Sequence, residues 1–240
     1  MKIAILGDIH GNLEALEAVL IAVEREGANR VICLGDIVGY GPDPLGCIYR
    51  LQEVEADLVL GNHDQAILFP EKIRSFNPFA RPSLLHAHEI IGVDERSFLK
   101  KSTMQLEMDG AIFSHANPIA PEEWEPLFMH RKISWCMDHL EHTMAFVGHT
   151  HHAMIHCKMR SRTLALTSST VAIGPHQYLV NPGSVGQPRD GDWRASYALW
   201  DLAGGYVELQ RVEYAVKRTK EKMLNLGYPD FTAQRLAKGL

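Results

Sequence analysis

Five short apolar runs in this chain each stop abruptly at a polar residue. Residues 3–6 stop at Gly7-Asp8, 31–34 at Gly35-Asp36, 58–60 at Gly61-Asn62, 111–113 at Ser114-His115, and 144–147 at Gly148-His149. Continuous apolar runs of this length suit strands buried on both faces. Between the early runs, Leu13, Leu16, Val19, Leu20 and Val23 share one helical face, with Asn12 placed as an N-cap and Gly27 where a C-cap is expected. A shorter helix is expected to follow Pro44 and to end near Glu53. The first sixty residues therefore read βαβαβ, with right-handed crossovers and parallel strands.

After Val147 the texture changes. Short strand-like runs over 153–157, 163–167, 178–181, 196–202 and 206–212 are separated by turn residues, and they predict a second, more antiparallel sheet. A terminal helix is expected over 215–226. The Pro- and Phe-containing stretch 65–101 reads as a small cap or insertion within one domain spanning 1–240. The expected class is α/β, with two sheets packed together and helices outside. Phe69, Phe76 and Phe79 are expected to form the small core of the cap.

Composition sharpens the picture by exclusion. A formal charge of -5 over 240 residues gives no global basic surface, so a dedicated nucleic-acid-binding region is not expected. No run of about 18 apolar residues predicts a membrane span. The first apolar run is too short for a secretory signal. Cys33, Cys47, Cys136 and Cys157 form no C-x-x-C pair and read as reduced structural thiols, which points to the cytoplasm.

Histidine is the unusual residue: there are 13, several beside Asp, Asn or Gly. In open α/β sheets ligands bind beyond the carboxyl ends of the strands. Five strand ends deliver Asp8, Asp36, Asn62, His115 and His149, while His10 and His151 follow Asp8 and His149 at a spacing of two. In an extended segment that spacing points both side chains the same way. Seven oxygen and imidazole ligands without a thiolate favour manganese, iron, zinc, cobalt or nickel. Seven are too many for one open catalytic ion and suit two, with Asp36, from a middle strand, as the bridge. Such a pair clamps an in-line phosphoryl displacement and activates water. His63 is placed to supply the leaving-group proton and Asp64 to orient it. Asn12, Tyr40 and Arg189 are candidate substrate contacts.

These residues resemble the calcineurin-like metallophosphoesterase superfamily. Its motifs stand here in order as Asp8-Ile9-His10, Gly35-Asp36, Gly61-Asn62-His63-Asp64, a lone His115, and Gly148-His149-Thr150-His151. The later Asn181-Pro182-Gly183-Ser184 is similar to its small bacterial and archaeal phosphodiesterase branch. The resemblance implies a four-layer αββα sandwich of two mixed sheets. It also implies one divalent ion on Asp8, His10, Asp36 and His151, and a second on Asp36, Asn62, His115 and His149. Manganese is the first expectation, and the substrate would be a small phosphorylated molecule, nucleotides included. Protein Ser/Thr phosphatases and dinucleoside polyphosphate hydrolases of the superfamily carry an Arg motif after this Asn-His segment, whereas Gln65-Ala66-Ile67 follows here. A catalytically silent interaction module would have lost metal-binding histidines that this chain keeps.

Overall fold

The computed structural model describes residues 1–240. The strands are β1 (Lys2–Leu6), β2 (Arg30–Cys33), β3 (Asp57–Leu58), β4 (Gln105–Met108), β5 (Ala111–Ser114), β6 (Met144–Val147), β7 (Ala153–Met159), β8 (Arg162–Leu166), β9 (Thr170–Ala172), β10 (Gln177–Pro182), β11 (Ala195–Asp201) and β12 (Tyr206–Val212). The helices are α1 (Leu13–Arg25), α2 (Pro44–Glu53), α3 (Asn62–Leu68), α4 (Arg81–Ile90), α5 (Val93–Leu99), α6 (His130–His139), α7 (Val216–Asn225) and α8 (Asp230–Leu236), with single 3-10 turns at Pro70–Ser75 and Pro121–Glu123.

Two mixed six-stranded sheets result, in the orders β3-β2-β1-β11-β12-β9 and β4-β5-β6-β10-β7-β8. The βαβαβ start behaves as its pattern dictates: β1, β2 and β3 pair in parallel, joined by α1 and α2. Helix α1 begins where the Asn12 side chain accepts the Ala15 amide, and its last turn gives way to Gly27 at φ +67°. In the second sheet β5, β6 and β10 are parallel and β4, β7 and β8 antiparallel.

Two expectations need correction. The strands after Val147 do not form one sheet: β7, β8 and β10 extend the second sheet, while β11, β12 and β9 complete the first. Periodicity reports that a strand exists but not which edge it joins. Strands β4 and β9 and helices α6 and α8 were not foreseen, because each is short or lies among polar residues.

The core explains the layers. Ile3, Ile5 and Ile32 from the first sheet meet Phe113, Phe146 and Val180 from the second, with Phe113 and Phe146 stacked at 5.1 Å. Ala4, Leu6 and Cys33 point to the other face of the first sheet, against Leu16, Val19 and Ile48 of α1 and α2. Ala145, Val147 and Leu179 point outward from the second sheet onto Ile133 and Met137 of α6. Every central strand is thus buried on both faces, which is why its sequence is apolar without alternation. The stretch 65–101 has no small core of its own. Ile73, Leu84, Ala87 and Phe98 join the main core beside α2 and α3. Phe69 and Phe79 are exposed, and Phe76 turns instead towards His63.

Candidate metal centre

The parallel strands β1, β2, β5 and β6 and the segment after β3 end at one rim of the sandwich, and their loops are stitched together by backbone bonds. The Asp8 amide donates to Gly35 O at 3.0 Å, the His10 amide to Asp36 O at 2.8 Å, and the Gly148 amide to His115 O at 2.9 Å. The two sheets are joined where the His149 amide donates to the Asp8 carboxylate at 3.0 Å. Gly61 is required because a Cβ there would collide with the Asp36 amide nitrogen.

Five of the seven expected ligands have left-handed backbones: Asp8 (φ 52°), His10 (49°), Asp36 (53°), His149 (67°) and His151 (61°). Such non-glycine residues cost about 1–3 kcal/mol each and persist only where surrounding structure imposes them. This corrects the reading of D-x-H and H-x-H as extended pairs. Both lie in tight turns, so chain reversal, not strand alternation, aims the side chains. His149 and His151 accordingly face different groups.

The clusters are Asp8, His10 and His151; Asp36, His115 and His149; and, between them, His10, Asp36 and His63, with the ligand atoms of each within 4.8 Å of one another. His10 Nε2 and His151 Nε2 lie 3.1 Å apart, and His115 Nε2 lies 3.0 Å from His149 Nδ1. Asn62 Oδ1 is 3.2 Å from His115 Nε2. Asp36 Oδ1 accepts the His63 amide at 2.9 Å, which leaves Oδ2 in the middle, 3.4 Å from His115 Nε2 and 3.7 Å from His10 Nε2.

This donor set fits divalent ions. Nδ1 of His10, His115 and His151 faces the carbonyl of Val38 (3.0 Å), Leu34 (2.8 Å) and Gln187 (2.7 Å) respectively. A proton on Nδ1 satisfies each carbonyl and leaves the Nε2 lone pair free for a cation. Burial lowers His10 and His151 well below the usual histidine value and takes His149 down to about 3, so these rings are neutral, as ligands must be. Burial also lifts Asp8 to about 7. Burial opposes ionisation of both Asp36 and His115, but their mutual attraction wins: Asp36 is held well below the carboxylate range and His115 rises to about 9.

His63 and Asp64 are buried beside the cluster. The expected Asp64–His63 pair is absent. Asp64 Oδ1 accepts the amides of Ile37 (2.9 Å) and Val38 (3.2 Å), and Oδ2 accepts that of Gly61 (3.3 Å). Adjacent residues at a helix start project differently, and the N3 carboxylate turns back to cap its own helix. His63 Nδ1 has no partner and abuts Gly39, while Nε2 lies 3.9 Å from Asp36 Oδ2. Burial lowers His63 to about 4.

A cleft of about 520 Å³ opens over the cluster, lined by Asp36, Asn62, His63, His149 and His151. Tyr40 and Arg189 line it as expected, with the guanidinium 5.4 Å over the Tyr40 ring and bonded to Gln187 Oε1 at 2.6 Å. Asn12 does not. Its Nδ2 donates to Gly186 O (2.8 Å), and its Oδ1 accepts from Ala15 N and Thr219 Oγ1, so it braces the loop beneath His10. Asn181 and Ser184 act similarly: Asn181 Nδ2 holds Gly148 O and Thr150 Oγ1, and Ser184 Oγ donates to Asp8 O. Phe76, expected in the core of a cap, also lines the cleft, as do Asn77, Pro126 and Phe128, which carried no sequence signal for it. A larger cleft, about 690 Å³, lies at the opposite ends of the strands, among Asp109, Lys158, His176 and Trp200, and holds none of the converging residues.

Known proteins share this chain's sequence and fold. Residues 1–205 fit the calcineurin-like phosphoesterase superfamily domain. A protein of Methanocaldococcus jannaschii is 36% identical over 99% of this chain and 98% of its own length. The crystal structure of a metallophosphoesterase from Sphaerobacter thermophilus is 32% identical and superposes with a TM-score of 0.87, covering 100% of this chain and 99% of that one. A Pyrococcus horikoshii structure at 22% identity shares the fold, with a TM-score of 0.82 over 100% of this chain and 98% of its own. With ordered motifs, a converging His/Asp/Asn cluster and near-complete coverage, this chain belongs to the calcineurin-like phosphoesterase superfamily.

Proposed function

We propose that this protein hydrolyses phosphate esters, phosphodiesters foremost, with two divalent ions held by the seven-residue cluster. One observation carries the reading. Asp36 Oδ2 lies 3.4 Å from His115 Nε2 and 3.7 Å from His10 Nε2, so one carboxylate oxygen faces both ligand groups. Asp8, His10, Asp36 and His151 would hold one ion, and Asp36, Asn62, His115 and His149 the other. A bound pair supplies positive charge for an anionic ester and lowers the pKa of water towards neutrality. Manganese suits the mixed carboxylate, amide and imidazole set, with iron, zinc, cobalt or nickel as substitutes.

The chain's own groups do the remaining work. His63 presents Nε2 to the cleft; burial keeps its ring neutral in the protein alone, and the negative charge of a bound ester offsets that burial, so that the ring takes up a proton and delivers it to the leaving oxygen. Arg189, fixed over Tyr40, receives a phosphate oxygen. The substrate is a small phosphorylated molecule, nucleotides included, and the protein acts in the cytoplasm. No helix is long and apolar enough to cross a membrane.

The test strips the protein with a chelator, restores each metal in turn, and follows hydrolysis of a bis-aryl phosphodiester and an aryl monoester. Activity with manganese, and its loss in Asp36→Asn together with one bound ion, is the expected result. Wild-type protein inactive with all five metals, or Asp36→Asn retaining both ions, refutes the reading.

A further inference from the structure

The cleft over the cluster does not end at the ligands. Asn62, Phe76 and Asn77 line it and also line an adjoining cavity of about 330 Å³, which Gln65, Lys72, Ser75 and Trp124 complete. The two adjoin across these three shared residues. The Phe76 ring meets the His63 ring edge-on, with centroids 4.7 Å apart. Phe76 thus sets one wall of the second lobe beside His63. Trp124 also lines it, with its ring 5.8 Å from that of His115. Its backbone is left-handed (φ 54°), rare for so bulky a residue. The loop is pinned there by Asn117 Nδ2 donating to Glu125 at 3.0 Å and by the Glu125–Lys132 ion pair at 2.8 Å. Lys72 is the only charged residue lining this lobe and has no carboxylate partner, and Gln65 adds a hydrogen-bonding group, whereas the Ser75 hydroxyl already donates to Lys72 O and Asn77 Oδ1 accepts the Phe79 and Ala80 amides.

Two aromatic rings, one ammonium without a carboxylate partner and the Gln65 amide describe what the lobe accepts: a planar heteroaromatic group carrying an additional negative charge. We propose that the lobe is the leaving-arm subsite of a two-armed substrate, and that this arm is a nucleoside bearing a second phosphate. Its base stacks against Phe76 and Trp124, and its extra phosphate meets Lys72. The proposal rests on the phosphoesterase reading above and adds the identity of the departing group. Water adds its oxygen to phosphorus, the bond from phosphorus to the arm's oxygen breaks, and that oxygen leaves with a proton delivered from the His63 side. A base stacked on an aromatic side chain contributes enough that losing it costs about tenfold or more.

Three substrates separate the outcomes: a dinucleotide with a terminal phosphate, the same dinucleotide without it, and the methyl ester of one mononucleotide, each with manganese-loaded protein. The expected order of kcat/KM falls from the first to the third. Lys72→Ala should erase the advantage of the terminal phosphate, and Lys72→Arg should restore it. Trp124→Ala should cut the preference for either dinucleotide over the methyl ester about tenfold, with Trp124→Phe restoring most of it. Manganese uptake measured on each variant shows that the centre is intact. If the methyl ester is cleaved as fast as both dinucleotides, or if each variant slows all three alike, the subsite is overturned and the phosphoesterase reading stands. If wild type cleaves none of them and no bis-aryl diester, both fall.

Discussion

Asp64→Asn separates two roles for the carboxylate beside His63. As a partner of the histidine, Asp64 would tune a proton donor. As the structure has it, Asp64 is a clamp between two ligand loops: Ile37 and Val38 follow Asp36, and Gly61 precedes Asn62. Asparagine keeps one oxygen, enough for Ile37 and Val38, but turns an N–H toward the Gly61 N–H. The lost bond is the longest of the three, at 3.3 Å, and its donor is buried. A buried donor left unpaired costs about 1–3 kcal/mol, and the length of this bond places the cost in the lower half, about 1–2 kcal/mol. For a chain of this size that lowers Tm by about 2–8 °C. Misplaced ligand loops should weaken manganese binding about 10- to 100-fold, as disturbing outer contacts of metal ligands does elsewhere. Urea or thermal denaturation of chelator-treated protein gives the first number, and calorimetric titration with manganese gives the second. An Asp64→Asn protein with wild-type stability and metal affinity, but a displaced pH–rate profile, refutes the clamp and restores the histidine partnership.

Metal uptake should be steeply pH-dependent. His115 lies at about 9 and Asp8 at about 7 in the protein alone, and both must be deprotonated to bind a cation. Affinity should therefore rise with pH, with a slope of about one proton between pH 7 and 9, steeper below 7 and flat above 9. Calorimetry in buffers of differing ionisation enthalpy measures the protons released, and none released over this range contradicts the assignment. Thr219→Val on α7 removes a buried hydroxyl that donates within 3.0 Å of Asn12 Oδ1 and Glu14 Oε2, beneath the His10 loop. Stability should fall by about 1–2 kcal/mol in denaturant melts, with Thr219→Ser restoring most of it. A silent Val variant would show that α7 merely covers the loop.

The sequence alone determined the parallel start of the first sheet and the polar residues that converge at its rim. Runs buried on both faces must be apolar throughout, and a polar residue at a strand end interrupts them visibly, as at Asp8, Asp36, Asn62, His115 and His149. The helix from Pro44 to Glu53 was legible because proline fixes its start. What the tertiary structure decided were relations between residues that no local pattern encodes. The partition of the later strands between two sheets depends on which edges were free. The turn geometry at His10 and His151 depends on neighbouring loops that impose positive φ. Asp64 and Asn12 carry the residue types expected of chemistry, yet their oxygens are spent on backbone amides. Phe76, Phe128 and Trp124 look like ordinary core residues and instead line the cleft or the cavity adjoining it. Side-chain chemistry is written in composition and spacing. Which polar atom remains free to act is settled only when every buried donor and acceptor has found its partner, and that count closes in three dimensions.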